Sequence, residues 1–238
     1  MRNDKTRTIC VVALLALLTL LISACGGTLK SREEVTGGGM LSGSSEDAGI
    51  AVDLSAEGTL DWAHWGLENA DSFNHKSGTG QISDITGIEA EGLVAIVTQY
   101  SDDGNQFTWA DGDPTESVAD STTGIYIVGT GNGFEFTVPA DIILKTLKVY
   151  VSVRDGTGEI EATLSDDSAT PYVDTIEDTA ESGWTRKVFT INFQAAEDGQ
   201  TLIVRYILKD STEGGGVALQ AATLAKARKK EGIDDKQS

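Results

Sequence analysis

The stretch Leu147-Lys148-Val149-Tyr150-Val151-Ser152-Val153-Arg154-Asp155-Gly156-Thr157-Gly158-Glu159-Ile160-Glu161-Ala162-Thr163-Leu164 decides the fold. Leu147, Val149, Val151 and Val153 alternate with Lys148, Tyr150 and Ser152. Alternation resumes at Ile160, Ala162 and Leu164. A two-residue period puts apolar side chains on one face of an extended chain, the pattern of a half-buried strand rather than a helix. The intervening Asp155-Gly156-Thr157-Gly158 predicts a hairpin turn.

The same period recurs on both sides. Phe134, Phe136 and Val138 alternate with Glu135 and Thr137, and Phe189, Ile191 and Phe193 with Thr190 and Asn192. Thr201–Lys209 alternates Leu202, Val204, Tyr206 and Leu208, and a last strand, Val217–Leu224, follows a turn at Gly214-Gly215-Gly216. Earlier candidates are Ile50–Leu54, Gln81–Ile85, Leu93–Thr98, Gln106–Trp109 and Gly124–Val128. Roughly ten short strands with no amphipathic helix predict an all-β sandwich over residues 50–225, long enough for one core.

The chain has 238 residues, with 18 Lys+Arg against 37 Asp+Glu and a formal charge of -19. That balance excludes nucleic acid as a partner, because phosphate binding needs clustered Lys and Arg. With 2 Cys and 2 His, neither a disulfide scaffold nor a histidine-rich metal centre can be assembled.

Arg2, Lys5 and Arg7 precede an uncharged run from Ile9 to Ile22. The run suits the apolar region of a signal peptide and is short for a membrane span of about 20 residues. It ends in Leu21-Ile22-Ser23-Ala24-Cys25, which resembles the lipobox of bacterial lipoproteins. The resemblance implies cleavage after residue 24 and acylation of Cys25, and two or more acyl chains anchor stably where one does not. It also implies residence in the bacterial envelope, with Gly26 in the second position favouring the outer membrane or cell surface. Residues 25–49, rich in Gly, Ser and charge, read as a flexible tether. Residues 226–238 read as a polar tail, basic at Lys226-Ala227-Arg228-Lys229-Lys230, either frayed in solvent or touching anionic lipid.

Several stretches resemble a family of modules from bacterial secreted and surface proteins. They are Asp61-Trp62-Ala63-His64-Trp65-Gly66, Phe73-Asn74-His75-Lys76, Thr123-Gly124-Ile125-Tyr126, Gly131–Ala140 and Val217–Leu224. The resemblance implies a jelly-roll sandwich similar to galactose-binding-like carbohydrate-binding domains. It carries no catalytic set.

A glycan site needs flat aromatic faces for sugar C–H surfaces and amide or carboxylate partners for hydroxyls. Trp62, His64 and Trp65, with Asn74 and His75 as polar partners, supply these groups densely and are the candidate ligand-binding set. In an extended chain Trp62 and His64 share one face and Trp65 takes the other, so at least one tryptophan faces the core. The alternative is that Trp62, Trp65 and Trp109 simply fill the sandwich. Trp184, in a loop-like stretch, is a separate exposed aromatic.

Ser101-Asp102-Asp103-Gly104-Asn105 and Asp111-Gly112-Asp113-Pro114-Thr115-Glu116 group oxygen donors, so a structural calcium ion is possible, though neither run has EF-hand spacing. Gly129-Thr130-Gly131-Asn132-Gly133 reads as a hairpin turn rather than a phosphate loop. No nucleophile elbow, Walker loop, dinucleotide fingerprint or zinc motif is present, and no catalytic residue or cofactor is assigned. The expectation is a non-catalytic, lipid-anchored module binding a glycan. The alternative is an envelope lipoprotein that packs against another protein.

Overall fold

The computed structural model describes residues 38–49, 51–92, 94–101 and 104–227. The expected signal segment, Cys25, most of the expected tether, Ile50, Leu93, Asp102, Asp103 and the chain beyond Ala227 lie outside them. Strands in chain order are β1 (Met40–Asp47), β2 (Ala51–Asp53), β3 (Asp61–Trp65), β4 (Phe73–Lys76) and β5 (Thr86–Ile88). Then follow β6 (Thr98–Ser101), β7 (Gln106–Trp109), β8 (Gly112–Asp113), β9 (Val118–Ser121) and β10 (Thr123–Val128). The last five are β11 (Gly133–Ala140), β12 (Lys145–Leu164), β13 (Tyr172–Glu177), β14 (Thr185–Gln194) and β15 (Gln200–Lys226). One short helix, α1 (Leu54–Glu57), is capped by Asp53, whose carboxylate accepts from the Ala56 amide.

The fold is an all-β, jelly-roll-type sandwich built on two long strands. β12 and β15 pair antiparallel from Lys145↔Lys226 to Leu164↔Leu202, with register shifts at Tyr150/Val151, Arg154/Gly156 and Thr157/Gly158. At those bulges both strands bend and pass together from one layer into the other. One layer runs β5-β11-β15-β12-β13 through residues 202–211 and 156–164. The other runs β1-β14-β12-β15 through residues 145–154 and 216–226, and the far edge of β15 takes β10 and then β3. β6 extends from β10, and β4 and β8 extend from β3. A small sheet, β2-β7-β9, is separate.

The core lies between the layers. Phe134, Phe136, Val138, Leu202, Val204, Tyr206, Ile160 and Leu164 from the first meet Leu147, Val149, Val151, Phe189, Ile191, Phe193, Val217 and Leu219 from the second. The bulges explain the change of phase in β12, where odd residues point inward before Asp155 and even ones after Gly158. A second apolar cluster, Leu54, Trp62, Phe107, Trp109, Tyr150, Val188 and Ala221, joins β2, α1 and β7 to other strands.

The alternating strands are present where expected, but two turns are not. Asp155–Gly158 is the bend of one continuous 20-residue strand, and Gly214–Gly216 lies inside one 27-residue strand. Glycine serves close approach there: a Cβ on Gly156 would run into the Asp210 carbonyl, and one on Gly215 would sit 2.6 Å from the Asp155 carbonyl. Gly129–Gly133 connects the two layers rather than forming a hairpin, since β10 and β11 pair with different parts of β15. Gln81–Ile85 is not a strand, although Ser83 exchanges hydrogen bonds with Thr137 at the β11 edge. In the expected strand Leu93–Thr98, among the described residues 94–98 only Thr98 enters a strand. The expected tether gives way at Met40, because β1 pairs along β14 within it. Among the described residues no helix is long and apolar enough to cross a membrane.

Candidate functional site

The aromatic set expected from residues 62–76 is structural. β3 has both faces covered, so all five residues of Asp61–Trp65 are buried. The face assignment expected from alternation holds. Trp62 and His64 both pack on Trp109, with ring centroids 5.2 and 5.0 Å apart, while Trp65 packs on Phe73 and Phe136 at 5.9 and 5.5 Å. The indole N–H of Trp62 donates to Asp111 at 2.8 Å and that of Trp65 to Asp84 at 3.1 Å. Asn74 is buried, and its side-chain oxygen accepts from the Thr115 amide at 3.1 Å. His75 is half-buried beside Phe73, with Nδ1 3.0 Å from the Lys76 carbonyl. A sugar therefore has no access to Trp62, His64, Trp65 or Asn74, and the five do not form a binding face.

His64 lies against Phe107 and Trp109. Burial pushes its pKa down from 6.5 to about 3, and a weak contact with the Thr123 backbone opposes this only in part. Its imidazole is therefore neutral near pH 7.

In the second acidic run the Asp111 carboxylate is also committed internally. Burial would raise the Asp111 carboxyl, but Lys76, Ser55 and Trp62 outweigh it and hold the group below the usual carboxylate range. Among the described residues no three metal-ligating side chains converge. Asp102 and Asp103 of the first run lie outside the described residues.

A different aromatic group is accessible. Tyr100 on β6, Tyr126 on β10 and Trp184 just before β14 are all half-buried. Tyr100 and Tyr126 meet edge-to-face at 6.0 Å, and Trp184 contacts them at 5.6 and 5.9 Å. The Arg154 guanidinium sits 4.9 Å from the Trp184 ring centroid, a cation–π contact. Strand register makes room for the rings. Tyr126, Ala218, Ser152 and Arg186 form one row across β10, β15, β12 and β14. Gly124 lies opposite Tyr100, whose ring occupies the place a Cβ would take. Small residues in the sheet thus form a shallow floor under three large rings.

The loop carrying Trp184 is pinned. The Thr185 hydroxyl donates to Asp178 at 2.6 Å and accepts from the Thr179 and Ala180 amides. Burial would raise the Asp178 carboxyl, yet Thr185, the Asp155 and Ala180 amides and the Arg154 charge hold it low. Asp155, Glu177, Asp178 and Asp210 line a nearby open cleft of about 490 Å³.

Sequence reading marks Trp184 as a loop aromatic but not its partners. Tyr100 and Tyr126 carry no local signal, because long-range pairing of β6, β10 and β15 brings them to Trp184. Other large apolar side chains in solvent are dispersed. Val94 and Ile96 lie between β5 and β6, and Ile142 and Ile143 between β11 and β12.

No protein-family model and no curated relative matches the sequence. Among solved structures, the chain is similar to the carbohydrate-binding module TmCBM61, solved with β-1,4-galactotriose, at 12% identity and TM-score 0.39, covering 62% of this chain and 92% of that one. It is also similar to the CBM22-1 xylan-binding domain of Paenibacillus barcinonensis Xyn10C, at 14% identity and TM-score 0.37, covering 70% and 94%. A third likeness is to the K1 cleaved adhesin domain of Lys-gingipain from Porphyromonas gingivalis, at 11% identity and TM-score 0.40, covering 71% and 99%.

Proposed function

We propose that the sandwich is a non-catalytic glycan-binding module carried on a lipidated Cys25 in the bacterial envelope. The observation that supports the binding reading is the half-buried Tyr100–Tyr126–Trp184 group with Arg154 against Trp184. Ring faces take the C–H surface of a sugar, and phenol and guanidinium groups reach its hydroxyls. The carboxylates of Asp155, Glu177, Asp178 and Asp210 in the adjoining cleft favour a neutral sugar over an acidic one.

The anchoring reading is supported by the basic start, the apolar run and Leu21-Ile22-Ser23-Ala24-Cys25. The test of binding is a panel of neutral oligosaccharides against the wild-type chain and its Trp184→Ala and Tyr126→Ala variants. Binding that both substitutions abolish in folded protein is expected. Binding to none of the panel, or equal binding by the variants, would overturn the proposal.

A further inference from the structure

Strand β15 carries one residue that has no register partner in β12. Tyr150 pairs with Ala221 and Val151 with Leu219, so Gln220 is left over between them as a bulge. The bulge resets the phase of the strand. Leu219 packs between the two layers, whereas Ala221 packs on the opposite side with Tyr150 and Trp62. An uninterrupted strand would put both on one face. Gln220 itself is fully buried, and its amide is used at both ends. The side-chain oxygen accepts from Asn105 Nδ2 at 2.8 Å, and Nε2 donates to the Thr123 carbonyl at 3.4 Å. Asn105 is also buried, one residue before β7, whose Phe107 and Trp109 belong to the second apolar cluster.

This amide pair lies directly behind the aromatic group. Gly124 sits opposite Tyr100, and a Cβ on it would lie 2.8 Å from both Gln220 Cγ and Tyr100 Cε1. The methylene stem of Gln220 and the edge of the Tyr100 ring thus converge on one spot, which only a glycine leaves open.

We propose that Gln220, held by Asn105, is a positioning residue that sets the Tyr100 ring against Trp184 and so shapes the aromatic face of the glycan site. The chemistry of the pair supports this role. Two buried amides gain little net stability over an apolar pair of the same shape, because each gives up water to make its bond. The pair supplies direction instead: bonds at both ends of the amide fix a side chain whose methylene stem would otherwise adjust freely. Being buried, neither residue touches a sugar. The role in binding rests on the glycan site proposed above, whereas the placement of the ring stands apart from it.

The test uses the full chain with its five tyrosines replaced by 3-fluorotyrosine and followed by fluorine NMR. Tyr100→Phe assigns the Tyr100 resonance. Asn105→Leu combined with Gln220→Met replaces the pair by apolar groups of similar size, and Gln220→Glu keeps an acceptor for Asn105. In the double variant the Tyr100 resonance is expected to move while those of Tyr172 and Tyr206 stay in place, showing a folded core. Its affinity for a neutral oligosaccharide selected by the panel should fall by about tenfold. Gln220→Glu should hold both readouts near wild type. Gln220→Met alone gives the same readouts if the double variant does not fold. An unmoved Tyr100 resonance would overturn the positioning role, and a moved ring with unchanged affinity would overturn its part in binding. If the wild type binds no sugar of the panel, the glycan reading fails, and the Tyr100 resonance alone decides whether the pair places the ring.

Discussion

Replacing His64 with leucine should flatten the acid dependence of stability, and the size of the effect follows from burial. In the folded chain burial holds the imidazole pKa at about 3, against 6.5 when solvated. Above pH 6.5 both states hold a neutral ring and His64 adds no pH dependence. As pH falls below 6.5 the unfolded chain takes up a proton that the folded chain refuses, so stability drops, and the drop continues until the folded pKa is reached. Between pH 7.5 and 4.5 the loss amounts to about 3 kcal/mol, at 1.36 kcal/mol per unit over about two units. That is a large share of the ~5–15 kcal/mol typical of a domain. The window also stays above the lowered carboxyls of Glu57 and Asp111, whose contributions are lost only at more acid pH. Urea unfolding followed by tryptophan fluorescence at half-unit pH steps measures the slope directly. The wild type should lose stability across the window, and His64→Leu should lose about 3 kcal/mol less. Parallel slopes in the two proteins would refute the assignment of a buried neutral imidazole.

Three other substitutions probe the scaffold. Asp61→Ala removes a buried acceptor for the Thr79 hydroxyl and the Gln81 and Ile82 amides, and should cost about 3 kcal/mol by urea unfolding. Glu57→Gln weakens a carboxylate that accepts from Lys148 at 2.7 Å, Tyr150 at 2.6 Å and Thr223 at 2.8 Å, and should cost about 1–2 kcal/mol, since the pair with Lys148 is partly solvated. Gly156→Ala drives a methyl group into the Asp210 carbonyl at the bend of β12, and should lower the melting temperature by more than Gly183→Ala, where a Cβ meets open space and only the positive φ of 88° opposes the substitution.

The core was readable because alternation is a local signal. Leu147, Val149 and Val151, and then Phe189, Ile191 and Phe193, declare their faces without knowledge of any partner. β1 was not readable: Met40–Asp47 is a polar edge strand in which Leu41 packs on the core and Gly43 lies under the Tyr172 ring. The bends look like turns in the sequence because Asp-Gly and Gly-Gly-Gly serve equally as turn residues and as close-approach points, and only the pairing of β12 with β15 separates the two. The expected binding set is buried for a related reason. Trp62, His64 and Trp65 look dense and chemically rich along the chain, yet β3 is sandwiched on both faces, so alternation cannot expose either side. Trp184 was visible as a loop aromatic, but its neighbours Tyr100 and Tyr126 arrive from strands far away in sequence.

The most direct test of the glycan-binding account is a calorimetric titration of the full chain with a neutral oligosaccharide selected by the panel, repeated with Trp184→Ala. Loss of a central aromatic contact is worth about 2 kcal/mol, or roughly thirtyfold in Kd. The account predicts that weakening together with an unchanged core, shown by a melting temperature close to wild type, because Trp184 lies outside both buried clusters. An unchanged Kd in the folded variant would contradict it.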